Sequence, residues 1–165
     1  MHGGKKVAKF NQQGFTIVEL LIVVVVIGIL AAIVIVAYNG ITIQATWTKI
    51  QSNLKSIDKS LAIYHAQNGS YPVSSSTWVY SCETGITNFI PELSSITPSL
   101  PQAPCENASN HSDTWVYSSN GTDYKIIHIR PNPSIADQVP ANLQDTRYSS
   151  SQPTWGYWSP GAATW

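Results

Sequence analysis

The sequence predicts an α+β fold in which one long N-terminal helix packs on a small antiparallel β-sheet head. Three observations carry that expectation. Residues 15–38 form an almost uncharged apolar run, residues 43–64 repeat apolar side chains with helical spacing, and every proline lies at Pro72 or beyond. A proline-free stretch that is apolar and then amphipathic reads as continuous helix. A proline-rich remainder with β-branched and aromatic runs reads as sheet and loops.

The helix comes first in the chain. From Phe15 to Tyr38 the only charged residue is Glu19. At about 1.5 Å per residue this run covers roughly 36 Å, enough to cross a hydrocarbon core. A cleavable secretory signal has a shorter apolar stretch and a small-residue cut site. Here YNGITIQATW follows instead, so the segment at about 18–38 reads as a retained membrane helix. Lys5, Lys6 and Lys9 precede it with no acid among them, which places the N-terminus in the cytoplasm and the C-terminal bulk outside. Beyond the membrane run, Ile43, Trp47, Ile50, Leu54, Ile57, Leu61 and Tyr64 recur at steps of four and three. Lys49, Lys55, Asp58 and Lys59 lie off this stripe. The whole predicts one helix over 15–68, about 80 Å long. Asn68-Gly69, then Pro72, is a helix stop: a left-handed residue followed by proline. The stripe suits packing on the chain's own head, since three heptads are few for a coiled coil.

The head, 69–165, begins loop-rich, with a strand expected at Thr77–Cys82 and a short helical piece at Asn88–Ser94. Thr114–Ser118 and Tyr124–Arg130 flank Asn120-Gly121, which predicts a hairpin over 114–130. In the second strand Ile127 and Ile129 share one face, and Tyr124, Ile126 and His128 the other. The isoleucine face is expected to meet the helical stripe. TWVYS occurs at 77–81 and again at 114–118, and TWGYWS at 154–159. The intervening sequences differ, so these are three similar strands rather than a structural repeat. Cys82 and Cys105 are the only cysteines. An even count in an exported domain favours one disulfide, closing a loop worth about 3.5 kcal/mol of chain entropy, over two unpaired thiols. Two cysteines alone do not make a zinc site, which wants four ligands.

The segment Gly14-Phe15-Thr16-Ile17-Val18-Glu19 resembles the processing motif of type IV prepilins and of the related pseudopilins of type II secretion. The lysine-bearing leader, the QQG before the junction and the apolar helix after it fit the same pattern, and LAIYHAQNGSYP at 61–72 is similar to the family's helix exit. The resemblance implies a leader at 1–14, removed by a membrane prepilin peptidase after Gly14, and methylation of the new amine of Phe15. It implies that subunits rest in membrane lipid, meet an assembly platform, and leave the bilayer by self-assembly into a helical filament. A structural subunit of a type IV pilus, serving adhesion, motility or uptake, is the first expectation. A pseudopilin of a type II secretion-like system and a single-pass surface-binding module are the alternatives. Glu19 then has a physical role. Once the helix enters a filament core its carboxylate must be paired or protonated. The amine of Phe15 in the adjacent subunit is the cation available, and that pair would fix axial register. The other reading is a glutamate at a helix start, favoured by the helix dipole. Gly28, with Ala31 and Ala32, supplies small residues for close helix contact. Many relatives carry a proline where this chain has Val36, so local melting of the helix near Gly28 is left open.

Other chemistry finds little support. No Gly-x-Ser-x-Gly, His-Glu-x-x-His or phosphate-loop pattern accompanies His2, His65, His111 and His128, so no enzyme and no cofactor are expected. His111 with Asp113 is a weak metal candidate, and Asp137 with Asp145 a weak calcium candidate that lacks the Asp-rich loop. Net charge is zero, which argues against nucleic acid, although Lys125 could join a small basic patch. Trp155, Tyr157, Trp158 and Trp165 could stack on sugars or form an aromatic lid. Asn68, Asn107, Asn110 and Asn120 head N-x-[ST] patterns that need not carry glycans in a bacterium.

Overall fold

The computed structural model describes residues 14–74, 77–82, 88–105, 111–147 and 153–165. The leader before Gly14, Asn107, Asn110 and Tyr148 lie outside them. The chain divides into two units, Met1–Gly40 and Ile41–Trp165. Helix α1, Ile17–Asn68, supplies Ile17–Gly40 to the first and Ile41–Asn68 to the second.

The first unit is the apolar half of α1. Its valines, leucines and isoleucines are about half exposed or more around the helix, as Val23, Val26 and Ile33 show. A helix apolar on all sides buries nothing by itself and needs a lipid or protein environment. The segment is long and apolar enough to cross a membrane once. Gly28 lies within uninterrupted helix, and a Cβ there would meet nothing within 4 Å.

The second unit is a helix-on-sheet sandwich. Trp47, Ile50, Leu54, Ile57 and Leu61 are all at most 5% exposed, so the periodic stripe is the helical half of the core. Ile43 and Tyr64, at its two ends, are half-buried. Each fully buried side chain of this size stabilises by about 1.5–3 kcal/mol. The helix stops as its sequence demands. Gly69 takes φ +74° and its N–H donates to His65 O at 2.8 Å, while Asn68 Nδ2 donates to Tyr64 O at 2.9 Å. A left-handed residue at this point satisfies carbonyls that the last turn leaves open.

Opposite the stripe lies a four-stranded antiparallel sheet in order β1-β2-β3-β4: β1 Val79–Tyr80, β2 Thr114–Ser119, β3 Tyr124–Ile129 and β4 Thr154–Trp158. β1 is shorter than the expected 77–82. The expected helical piece is a 3₁₀ turn at Pro91–Ser95, and a short helix α2 covers Pro133–Ala136. The β2–β3 turn holds Gly121 at φ +93°, and Asn120 Oδ1 accepts the N–H groups of Thr122 and Asp123. The three TW motifs fall in or against three of the four strands. The two TWVYS copies are antiparallel neighbours, with Val79 facing Tyr117 and Tyr80 facing Val116.

One expectation is reversed. The face of β3 that meets α1 carries Tyr124, Ile126 and His128, not Ile127 and Ile129. In register, Trp115 and Trp155 flank His128, and Tyr117 and Tyr157 flank Ile126. Trp115 and Tyr117 of β2 and Trp155 and Tyr157 of β4 therefore project to this face and fill the gap between sheet and helix. Trp47 of α1 sits 4.6 Å from Trp155, centroid to centroid. Ile127 is buried as well, on the other face.

Candidate functional site

At the N-terminus Gly14 and Phe15 precede the first helical residue, and Phe15 is 78% exposed. The helix is opened by its own side chains. Thr16 Oγ1 accepts the Glu19 N–H at 3.2 Å, and Glu19 Oε2 accepts the Thr16 N–H at 2.8 Å and the Thr16 hydroxyl at 2.7 Å. This is a reciprocal capping box, in which residues N-cap and N3 satisfy each other's backbone donors. The same carboxylate also sits where the helix dipole favours a negative charge. The sequence reading placed Glu19 at a helix start but overlooked Thr16. The signal was present in the Thr-x-x-Glu spacing.

The head is braced at two places. Cys82 and Cys105 are disulfide-bonded with Cα atoms 5.6 Å apart, tying the chain just after β1 to the segment before β2. On the sheet face away from α1, Lys125 Nζ donates to Asp145 Oδ2 at 2.6 Å, with both side chains fully buried. It also donates to the main-chain oxygens of Trp165 at 3.1 Å and Ala163 at 3.3 Å. Three donors meet three acceptors, which is the condition for burying an ammonium. Asp145 Oδ1 accepts from Arg147 Nε at 3.0 Å. Burial opposes the charge on Asp145, yet the hydrogen bonds from Lys125 and Arg147 hold its carboxyl below the usual range.

Residues 9–35, which span the Gly14-Phe15 junction, the capping box and the apolar helix, match the family model described as the prokaryotic N-terminal methylation motif. The chain is also 26% identical over 121 residues to type II secretion system core protein G of Pectobacterium carotovorum, covering 72% of this chain and 69% of that protein. The chain is therefore similar to the pilin and pseudopilin family, most specifically over its N-terminal motif. Core protein G of Pseudomonas aeruginosa is 39% identical over 62 residues, 38% of this chain and 44% of the relative. That of Vibrio cholerae is 34% identical over 70 residues, 42% and 47%. These latter matches span less than half the length of the relatives. No solved structure matches the chain.

The structure gives several other candidates different roles. His111 and Asp113 do not come together around a metal. The His111 ring lies against Tyr80, 3.9 Å between centroids, while Asp113 Oδ1 is 2.7 Å from His128 Nε2. Asp145 cannot serve calcium with Asp137, because its oxygens are committed to Lys125 and Arg147, and Asp137 is exposed. Lys125 is no surface patch residue; it is wholly buried. Trp155 is wholly buried under α1, and Tyr157 packs half-buried against the same core, so neither offers a surface platform. The sequence had no means of placing Lys125, since its partners come from residues 20 to 40 positions away.

Proposed function

We propose that this chain is a pseudopilin of a type II secretion-like system. It acts as a structural subunit and not as a catalyst. The observation that carries the reading is the similarity to core protein G, which runs through 121 residues and so extends past the shared N-terminal motif into the head. That extent moves the secretion reading ahead of the pilus reading that the sequence alone placed first. In this proposal prepilin peptidase cuts after Gly14, the amine of Phe15 is methylated, and the subunit waits in the membrane with its head outside. The assembly platform then lifts it into a short helical filament.

The capping box gives this process a physical switch. In the free subunit the Glu19 carboxylate is occupied by Thr16. In a filament core, water is excluded and the amine of a neighbour's Phe15 becomes the strongest available partner. Trading hydrogen bonds to a neutral hydroxyl and amide for a charge-assisted pair favours the assembled register. A misplaced register leaves a buried charge alone, and so is rejected.

The test is mass spectrometry of the protein from its own cells, combined with deletion of its coding sequence. A chain starting at methylated Phe15, with loss of exported enzymes from the medium on deletion, is the expected result. Surface fibres lost on deletion while export continues would select the pilus instead. An intact Met1 start in the membrane fraction would refute the family mechanism for this chain.

A further inference from the structure

We infer that the head carries a binding slot for a neutral saccharide, on the sheet face turned away from α1. The site is a cleft of about 370 Å³ lined by Trp78, Ser118, Ser119, Asn120 and Trp165. Its position follows from the strand register. Ser118 of β2 faces Lys125 of β3, which faces Trp158 of β4. Trp78 directly precedes Val79, whose partner is Tyr117, so Trp78 stands at the position beside Ser118. A small side chain thus forms the floor next to one indole, and Trp165 supplies a second. The main-chain oxygen of Trp165 is fixed by Lys125, and the Trp78 ring by the Arg147 guanidinium 4.6 Å from its centroid. Both indoles remain half-buried, so part of each ring stays open to a ligand.

The chemistry of the lining selects the ligand. None of the five side chains is ionisable. Of the nearest cations, Lys125 Nζ is saturated and fully buried, and Arg147 shares Asp145 with it and lies against the Trp78 ring. The lining side chains therefore offer an anion no counter-charge and a cation no carboxylate. What remains is aromatic surface plus neutral hydrogen-bonding groups. Asn120 Oδ1 is used by the turn, leaving its Nδ2 donors without a partner among the described residues. The Ser118 hydroxyl likewise has no partner among them. Ser119 is engaged, accepting from Gly121 N and donating to Asp123 O, and serves as rigid wall. A sugar ring presents a C–H face suited to an indole and rim hydroxyls suited to a serine and an amide. The volume suits one or two sugar units, at the lower end of small-ligand sites. Trp155 and Tyr157 take no part.

The test uses the full chain in a non-glycosidic detergent, with saturation-transfer NMR on cellotriose, maltotriose and chitotriose as neutral probes and trigalacturonic acid as the anionic one. At least one neutral trisaccharide is expected to bind with a Kd of about 1 mM or tighter. Trp165→Ala removes a ring but keeps the main-chain contact to Lys125, so its melting temperature should stay near that of the parent. It should weaken binding about tenfold. Ser118→Phe, which fills the floor, should abolish binding. Failure of all three neutral probes at about 10 mM, tighter binding of trigalacturonic acid, or unchanged binding in a folded Trp165→Ala chain would each overturn the assignment.

Discussion

Lys125 and Asp145 form an ion pair 2.6 Å long in which neither side chain touches solvent. Such a pair is costly to break and cheap to replace. Removing one partner leaves the other charged and buried, at a cost of about 3–5 kcal/mol, whereas apolar replacement of both is close to neutral. Lys125→Met should therefore lower the head's unfolding free energy by about that amount, and Lys125→Met with Asp145→Leu should recover most of it. Denaturant unfolding of the oxidised chain in detergent measures both. Because the folded-state value of Asp145 lies below its unfolded value, its contribution is present above about pH 4 and is lost as pH falls through the folded value. The double variant should lack that acid-sensitive component.

His128 should make the fold sensitive to pH from the other direction. Burial pushes the imidazole below its ordinary value and outweighs the opposing pull of Asp113. The unfolded chain then binds the proton more readily than the folded one. Stability should be full above about pH 6.5 and should decline as pH falls below it. His128→Gln is expected to flatten the melting-temperature profile between about pH 7 and pH 5. An unchanged slope would show that His128 is not the sensor.

The Thr16–Glu19 box separates capping from assembly. Thr16→Val removes the cap and keeps the carboxylate, so it should cost about 1 kcal/mol of helix stability at its start while subunits still assemble. Glu19→Ala removes both functions. It should be processed and inserted into the membrane yet fail to enter filaments. Normal assembly of Glu19→Ala, scored by cross-linking between subunits in cells, would sink the register argument.

Gly156 is fixed by space rather than by backbone angle. A Cβ there would lie 2.1 Å from Ile126 O and 2.7 Å from Ile127 Cα. Those are backbone atoms of the paired strand, so the neighbour cannot rotate away. Gly156→Ala should displace β4 and with it Trp155, costing more than about 4 kcal/mol, visible as loss of a cooperative melt.

Much of this was legible in the residues themselves. The stripe from Ile43 to Tyr64, the stop at Gly69 and the turn at Gly121 are local signals, and local physics decides them. The disulfide was legible because only one pairing exists. What the sequence concealed was decided across strands. Ile127 and Tyr124 lie on opposite faces of β3 and both are buried, so alternation alone could not say which face meets α1. The answer lay in Trp115 and Trp155, whose register is fixed by pairing. Lys125 was hidden for the same reason. A lysine among isoleucines reads as surface until acceptors from 145, 163 and 165 arrive in space.

The neighbouring TWVYS segments have a consequence for how this sheet finds its order. Two pentapeptides of identical composition compete for the inner and the edge berth, and side-chain chemistry cannot rank them. Connectivity must do so: the berth beside β3 goes to 114–118 because a four-residue turn ties it there, while the Cys82–Cys105 bond leashes 77–81 to the rim. A reduced chain with that turn lengthened would lose both tie-breakers, and its two copies would become interchangeable.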